Sequence, residues 1–192
     1  LAGAMVEALK TLGFGPQKPF DLLGNHTGTS LAIEAALAEP KTVRQIVMTG
    51  VYMAPESQIQ GDIDALSFPK SSAEAVEEMC RQTSACTKRV KLDPKMDAIW
   101  GELTIDSLRP LMRREDTHLA AFNYHRVKKQ RIVMVQQKVW MIALDDPLLA
   151  ESTQQSLKMF KNVEYIDMTK YKLDVFRRNA LEMAVVLRAK LI

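Results

Sequence analysis

Two apolar runs without polar interruption, IVM at 46–48 and VWMIAL at 139–144, most constrain what this chain can become. A strand with one wet face alternates polar and apolar residues, whereas a strand covered on both faces reads as a continuous apolar run. The segments around these runs are helix-periodic. The sequence predicts a helix over 1–12, with Met5, Leu9 and Leu12 on one face and Gly13 and Gly15 ending it. It then predicts a strand over 20–24, a helix over 29–38 carrying Leu31, Ala32, Ala35 and Ala36 and ended by Pro40, and a strand over 43–49. After the run at 139–144 come a helix over 152–160, a strand over 163–168, and an amphipathic helix over 175–192 with Leu181, Ala184, Val185 and Leu191 towards the sheet. Strands and helices alternating at this spacing form βαβ units, so the fold class is α/β, with a mostly parallel sheet flanked by helices.

Between the second and third strands the texture changes. Residues 55–130 are polar and mostly helix-periodic, interrupted by Pro69, Pro94 and Pro110. The chain therefore divides into a core over 1–54, a helical insertion over 55–130 and a second part of the core over 131–192, which suits a length of 192 residues. A net charge of +3 is too small to argue for a nucleic-acid partner, and the densest basic run, HRVKKQR at 125–131, reads as the cap or flank of a helix. No apolar stretch approaches the roughly 18 residues of a membrane span, so no membrane partner is expected. The opening LAGAMVEALKTLGFG reads as helix rather than secretory signal. Cys80 and Cys86, spaced C-x5-C, fit neither zinc nor redox motifs and are expected to be reduced thiols in a cytoplasmic protein. His118 and His125 share a helical face but lack a third ligand, so neither a metal nor a cofactor is expected.

The stretch DLLGNHTGTSLAIEAALAEP at 21–40 carries the chemistry. Gly24-Asn25-His26-Thr27-Gly28 has the spacing of G-x-S-x-G, with His26 in the serine position, an apolar strand before it and an alanine-rich helix after it. Such a sharp strand-to-helix turn holds its central residue in a strained conformation, with the side chain standing above the sheet. Gly24 and Gly28 would let backbones pass closely, and the Thr27 N–H would face a developing oxyanion. Imidazole at this point can act as a general base, as a nucleophile or as a ligand anchor.

Three matches in order resemble the α/β-hydrolase family: DLLGNHTG with its helix and PKTVRQIVMTG, then VWMIALDDPLLA, then NVEYIDM followed by TKYKLDVF. The resemblance implies a partial α/β-hydrolase fold with a helical lid over the insertion, whose Trp100, Met112, Phe122 and Tyr124 are candidates to line a pocket. It implies that Asp146, or its neighbour Asp145, is the acidic member of the catalytic set. The loop at 169–174, which in the family carries a histidine, has none here. His26 is longer than serine and would reach into the vacated space to pair with Asp146 directly or through one water. Tyr171 would supply a proton, with Lys170 and Lys172 read as solvated.

The resemblance starts in the middle of the family's fold. The expectation is that the natural chain extends upstream of Leu1. The alternative is a homo-oligomer joined through the core face or the apolar edge left at 20–24. The functional expectation is an atypical hydrolase acting on a small, partly apolar substrate through His26 and Asp146. A catalytically inactive small-molecule-binding protein on the same scaffold is the competing one.

Overall fold

The computed structural model describes residues 1–64, 73–74, 76–77, 80–81, 114–146, 148–172, 176 and 179–191. Cys86, Trp100 and Met112, and the side chains of His118 and Lys172, lie outside the described residues. The described chain divides into two units, Leu1–Pro55 with Tyr124–Ile192, and Glu56–Asn123. The first unit holds a four-stranded sheet of β1 (Phe20–Asn25), β2 (Val43–Thr49), β3 (Lys138–Asp145) and β4 (Val163–Lys172), in that spatial order. All three pairings are parallel. The helices are α1 (Ala2–Thr11), α2 (Thr27–Ala38), α3 (Glu56–Asp64) in the second unit, α4 (Arg114–Ile132), α5 (Ala150–Leu157) and α6 (Ala180–Leu191).

The two apolar runs are buried on both faces, as their composition requires. Ile46 and Met48 of β2 join Val139 and Met141 of β3 in one cluster with Ile33 and Ala36 of α2, Ile132 of α4 and Phe160. The intervening residues, Val47, Trp140, Ile142 and Leu144, point the other way and pack with Met168 and Met183. The period of two along each strand thus separates two apolar layers, one on each face.

Local chemistry sets the element ends. Gly13 adopts φ +84° and its N–H reaches the Lys10 carbonyl, while the Phe14 N–H reaches that of Leu9, which closes α1 in a Schellman motif. Helix α2 starts at Thr27, two residues before the expected 29, because the turn at His26 passes directly into it. Helix α5 ends at Leu157, so Phe160 serves the core from beyond the helix.

Two expectations are corrected. Leu181 and Val185 of α6 are 84% and 69% exposed, and Ala184 is exposed as well. Leu191 packs on the core as expected, and Met183, Val186 and Leu187 face it in place of the other three. Both stripes carry helical spacing, and packing selects the one with the larger side chains. The second correction concerns 169–172, expected as loop, which belongs to β4. Between the Ala143–Asp167 and Asp145–Lys172 pairs the register shifts, so that β4 runs through Met168 to Tyr171 while β3 passes only Leu144.

Candidate active site

His26 is the one non-glycine residue with positive φ among the described residues, at φ 50° and ψ −116°. This lies outside the regions open to L-residues and costs about 1–3 kcal/mol. Three hydrogen bonds hold it. The His26 N–H donates to the Thr49 carbonyl at the end of β2, and the His26 carbonyl accepts from both the N–H (3.0 Å) and the hydroxyl (2.6 Å) of Thr29. Gly24 is required by contact, because an added Cβ would fall 2.7 Å from the Gly28 carbonyl oxygen. At Gly28 an added Cβ would meet nothing within 4 Å, so close backbone passage is not what calls for glycine there. Thr27 opens α2 and is exposed; its N–H is among the first-turn amides that have no partner within the helix.

The His26 ring lies over Gly50. A Cβ at Gly50 would stand 2.5 Å from His26 Cδ2 and 2.9 Å from Nε2, and Gly50 has φ +67°. This glycine escapes sequence reasoning, although its place directly after β2 in VMTG is the signal that could have raised it. Held there, the ring presents Nε2 to Asp146 Oδ2 at 3.4 Å. The imidazole is 40% exposed and the carboxylate 4%. Asp146 Oδ1 accepts from the backbone N–H groups of Leu148 (2.9 Å) and Leu149 (3.1 Å), which fixes the carboxylate plane. Oδ2 is buried and makes no hydrogen bond, so the His26 ring is what it faces. Asp145 is exposed, and of the two acids Asp146 is the one turned to His26. A cavity of ≈ 50 Å³ lined by Gly50, Asp146, Thr153, Tyr165 and Thr169 adjoins the carboxylate and has room for water.

The structure does not bring Tyr171 to this pair. Its ring packs against the layer of Val47, Trp140, Ile142 and Leu144, and Lys170 Nζ stands 4.7 Å from the ring centroid. The extension of β4 through Lys172 places it there rather than on a free loop. Tyr124 likewise has a use other than lining a pocket. Its hydroxyl donates to Glu34 Oε1 (2.9 Å), and Arg131 grips both oxygens of the same carboxylate (2.6 and 2.7 Å). The Arg131 guanidinium lowers the Glu34 pKa, while burial, with the Glu34 carboxylate second, raises that of Tyr124. Tyr124, Lys128 and Arg131 are spaced i, i+4, i+7 on α4, so this clamp turns Lys128 inward. Lys128 is fully buried, and its Nζ donates to Thr29 Oγ1 at 3.2 Å. Burial pushes its amine down to about 7. His125, one turn earlier, has its ring tilted against that of Tyr52, centroids 4.6 Å apart, and is pushed down to about 3, by burial first and then by the Lys128 charge. The basic run at 125–131 forms the C-terminal end of α4, with Lys129 and Arg131 in its last turn. Among the described residues, no three His, Cys, Asp or Glu side chains gather as a metal-binding group, and no helix is long and apolar enough to cross a membrane.

The sequence matches no protein-family model and no curated protein. Solved structures do match. An esterase from Exiguobacterium antarcticum superposes with a TM-score of 0.70 at 9% identity, over 98% of this chain and 71% of that one. An α/β-hydrolase enzyme from a Medee basin deep-sea metagenome library matches with a TM-score of 0.56 at 16% identity, over 97% of this chain and 69% of that one. The chain has the α/β-hydrolase fold. An N-acyl homoserine lactone degrading enzyme is a further match, with a TM-score of 0.65 at 15% identity, over 98% of this chain and 72% of that one. The strained residue of the turn after β1, directly before α2, is His26.

Proposed function

We propose that this protein is a hydrolase of a small, partly apolar substrate, breaking an ester-like bond or else a C–C or C–X bond, in which His26 and Asp146 together activate water. The observation that carries the reading is the imidazole, held on a strained elbow, facing a buried carboxylate at 3.4 Å. A contact of that length closes to a hydrogen bond with a shift of a few tenths of an ångström. With its Nε2 proton directed at Asp146, the ring keeps its lone pair on Nδ1. That nitrogen takes a proton from water, the water oxygen attacks the substrate carbonyl, and the proton passes to the leaving group as the bond breaks. The Thr27 N–H receives the developing oxyanion. The 81% exposed Leu148, within the turn that Asp146 anchors, offers an apolar surface to the substrate. An esterase and a lactone-degrading enzyme among the structural matches support ester-like substrates.

One observation favours the competing reading of a non-catalytic binding protein. No histidine stands at 169–174, and the Tyr171 ring is packed away, which leaves two side chains where the family uses three. Turnover of activated short-chain esters, compared with His26→Ala at several pH values, separates the two. The hydrolase reading expects the variant to lose about 100-fold or more, together with one limb of the pH profile. Equal rates in both proteins would leave binding as the function.

A further inference from the structure

Lys128 is a fully buried lysine that the proposed mechanism does not use. Its Nζ donates to Thr29 Oγ1 at 3.2 Å, and the same oxygen donates its own proton to the His26 carbonyl at 2.6 Å. That carbonyl belongs to the peptide group whose other end is the Thr27 N–H. In a trans peptide the two point in opposite directions, so the carbonyl turns inward to Thr29 while the amide turns towards the exposed end of α2. We infer that Lys128 and Thr29 form a buried relay that polarises the His26–Thr27 peptide and strengthens the Thr27 amide as an anion donor. The inference rests on the hydrolase reading only for the use of that amide; the relay itself is a matter of hydrogen bonds.

Chains of hydrogen bonds in a low-dielectric interior polarise one another, and a charged first donor acts more strongly than a neutral one. The effect travels along one line: amine to hydroxyl, hydroxyl to carbonyl, carbonyl to the amide of the same peptide. It acts where a strained residue needs its carbonyl fixed, and Thr29 and Lys128 are both buried. Lys128 is a positioning residue in this arrangement, since it touches neither His26 nor a substrate. On its own helix the Lys128 charge acts on His125, with the Tyr52 ring against that imidazole from the segment after β2. Helix α2 presents the Thr29 hydroxyl to it and, further along, the Glu34 carboxylate already held by Arg131 and Tyr124. His125 stays neutral across neutral pH, so the amine, shifted to about 7, is the group whose charge changes there.

The test is a nuclear magnetic resonance titration of the full chain in a His26→Gln background, which takes away the imidazole and keeps the backbone carbonyl. The Thr27 amide nitrogen and the carbonyl carbon of residue 26 should both move across neutral pH with one shared midpoint. Adding Lys128→Met, which fills the buried site with an apolar chain of similar length, should abolish the movement. Thr29→Val should abolish it as well. Lys128→Arg should hold both resonances at the acid-limit values at every pH, a rescue that a merely structural lysine would not give. Movement that persists in Lys128→Met or Thr29→Val, or its absence in the His26→Gln parent, would overturn the relay. These shifts do not depend on turnover, so a protein inert on every ester would sink the hydrolase reading and leave the relay standing.

Discussion

At position 26 a residue with a Cβ is held at φ 50° by bonds to both its N–H and its carbonyl, and its ring is seated on a glycine that leaves no room for a methyl group. The consequence is directional, because the imidazole can lie against Asp146 only while position 50 is bare. Gly50→Ala puts a Cβ 2.5 Å from His26 Cδ2 and places alanine at φ +67°. The expected cost in stability is about 1 kcal/mol, read as a shift of the urea midpoint. The expected loss of ester turnover is about 100-fold, because a ring displaced by about 1 Å no longer meets the carboxylate. Unchanged turnover in a folded Gly50→Ala protein would mean that the ring's seat is irrelevant to function.

At the scale of the element, contacts decide what spacing leaves open. Gly24→Ala brings a Cβ within 2.7 Å of the Gly28 carbonyl and should cost about 1–3 kcal/mol by forcing α2 off β1, measured by thermal unfolding. On α6, Met183→Ala should cost about 2–5 kcal/mol, whereas Leu181→Lys and Val185→Lys should each stay within about 0.5 kcal/mol. The reverse ranking would refute the face of α6 described above. The two central strands and the sharp turn after β1 were legible in the sequence because a continuous apolar run and a G-x-x-x-G turn each have few physical solutions. The face of α6 was not, since Leu181 and Val185 keep the same helical period as Met183 and Leu187. Lys128 was hidden for a different reason. In HRVKKQR it looks like any solvated lysine, and only the grip of Arg131 and Tyr124 on Glu34 turns it inward. Gly50 was illegible because its role lies in contact with a ring 24 positions away.

Across the whole molecule the buried bases give stability a pH dependence with a definite sign. Lys128 is pushed down to about 7 from 10.5, so between those values the unfolded chain binds a proton that the folded chain does not, and stability rises with pH across that window. His125, pushed down to about 3 from 6.5, works in the same sense at lower pH, and stability falls as pH drops from 6.5 towards 3. Glu34 adds to the acid loss, since its carboxylate is lowered by Arg131 and its stabilisation disappears as it becomes protonated. Lys128→Met should therefore exceed the parent in stability by most below about pH 7, with the gap narrowing towards about pH 10, as urea midpoints at the two ends would reveal. A gap independent of pH would mean that the amine keeps its charge when buried.

The central claim is that His26 and Asp146 act as one unit on this scaffold. The most direct measurement is kcat/KM for an activated short-chain ester with the parent, His26→Ala, Asp146→Asn and the double variant. The account predicts that each single change costs about 100-fold or more and that the double variant is no slower than His26→Ala alone, because a carboxylate that acts through the imidazole has nothing to act on once the ring is gone. Parent-like turnover in Asp146→Asn, or losses that simply multiply in the double variant, would contradict it.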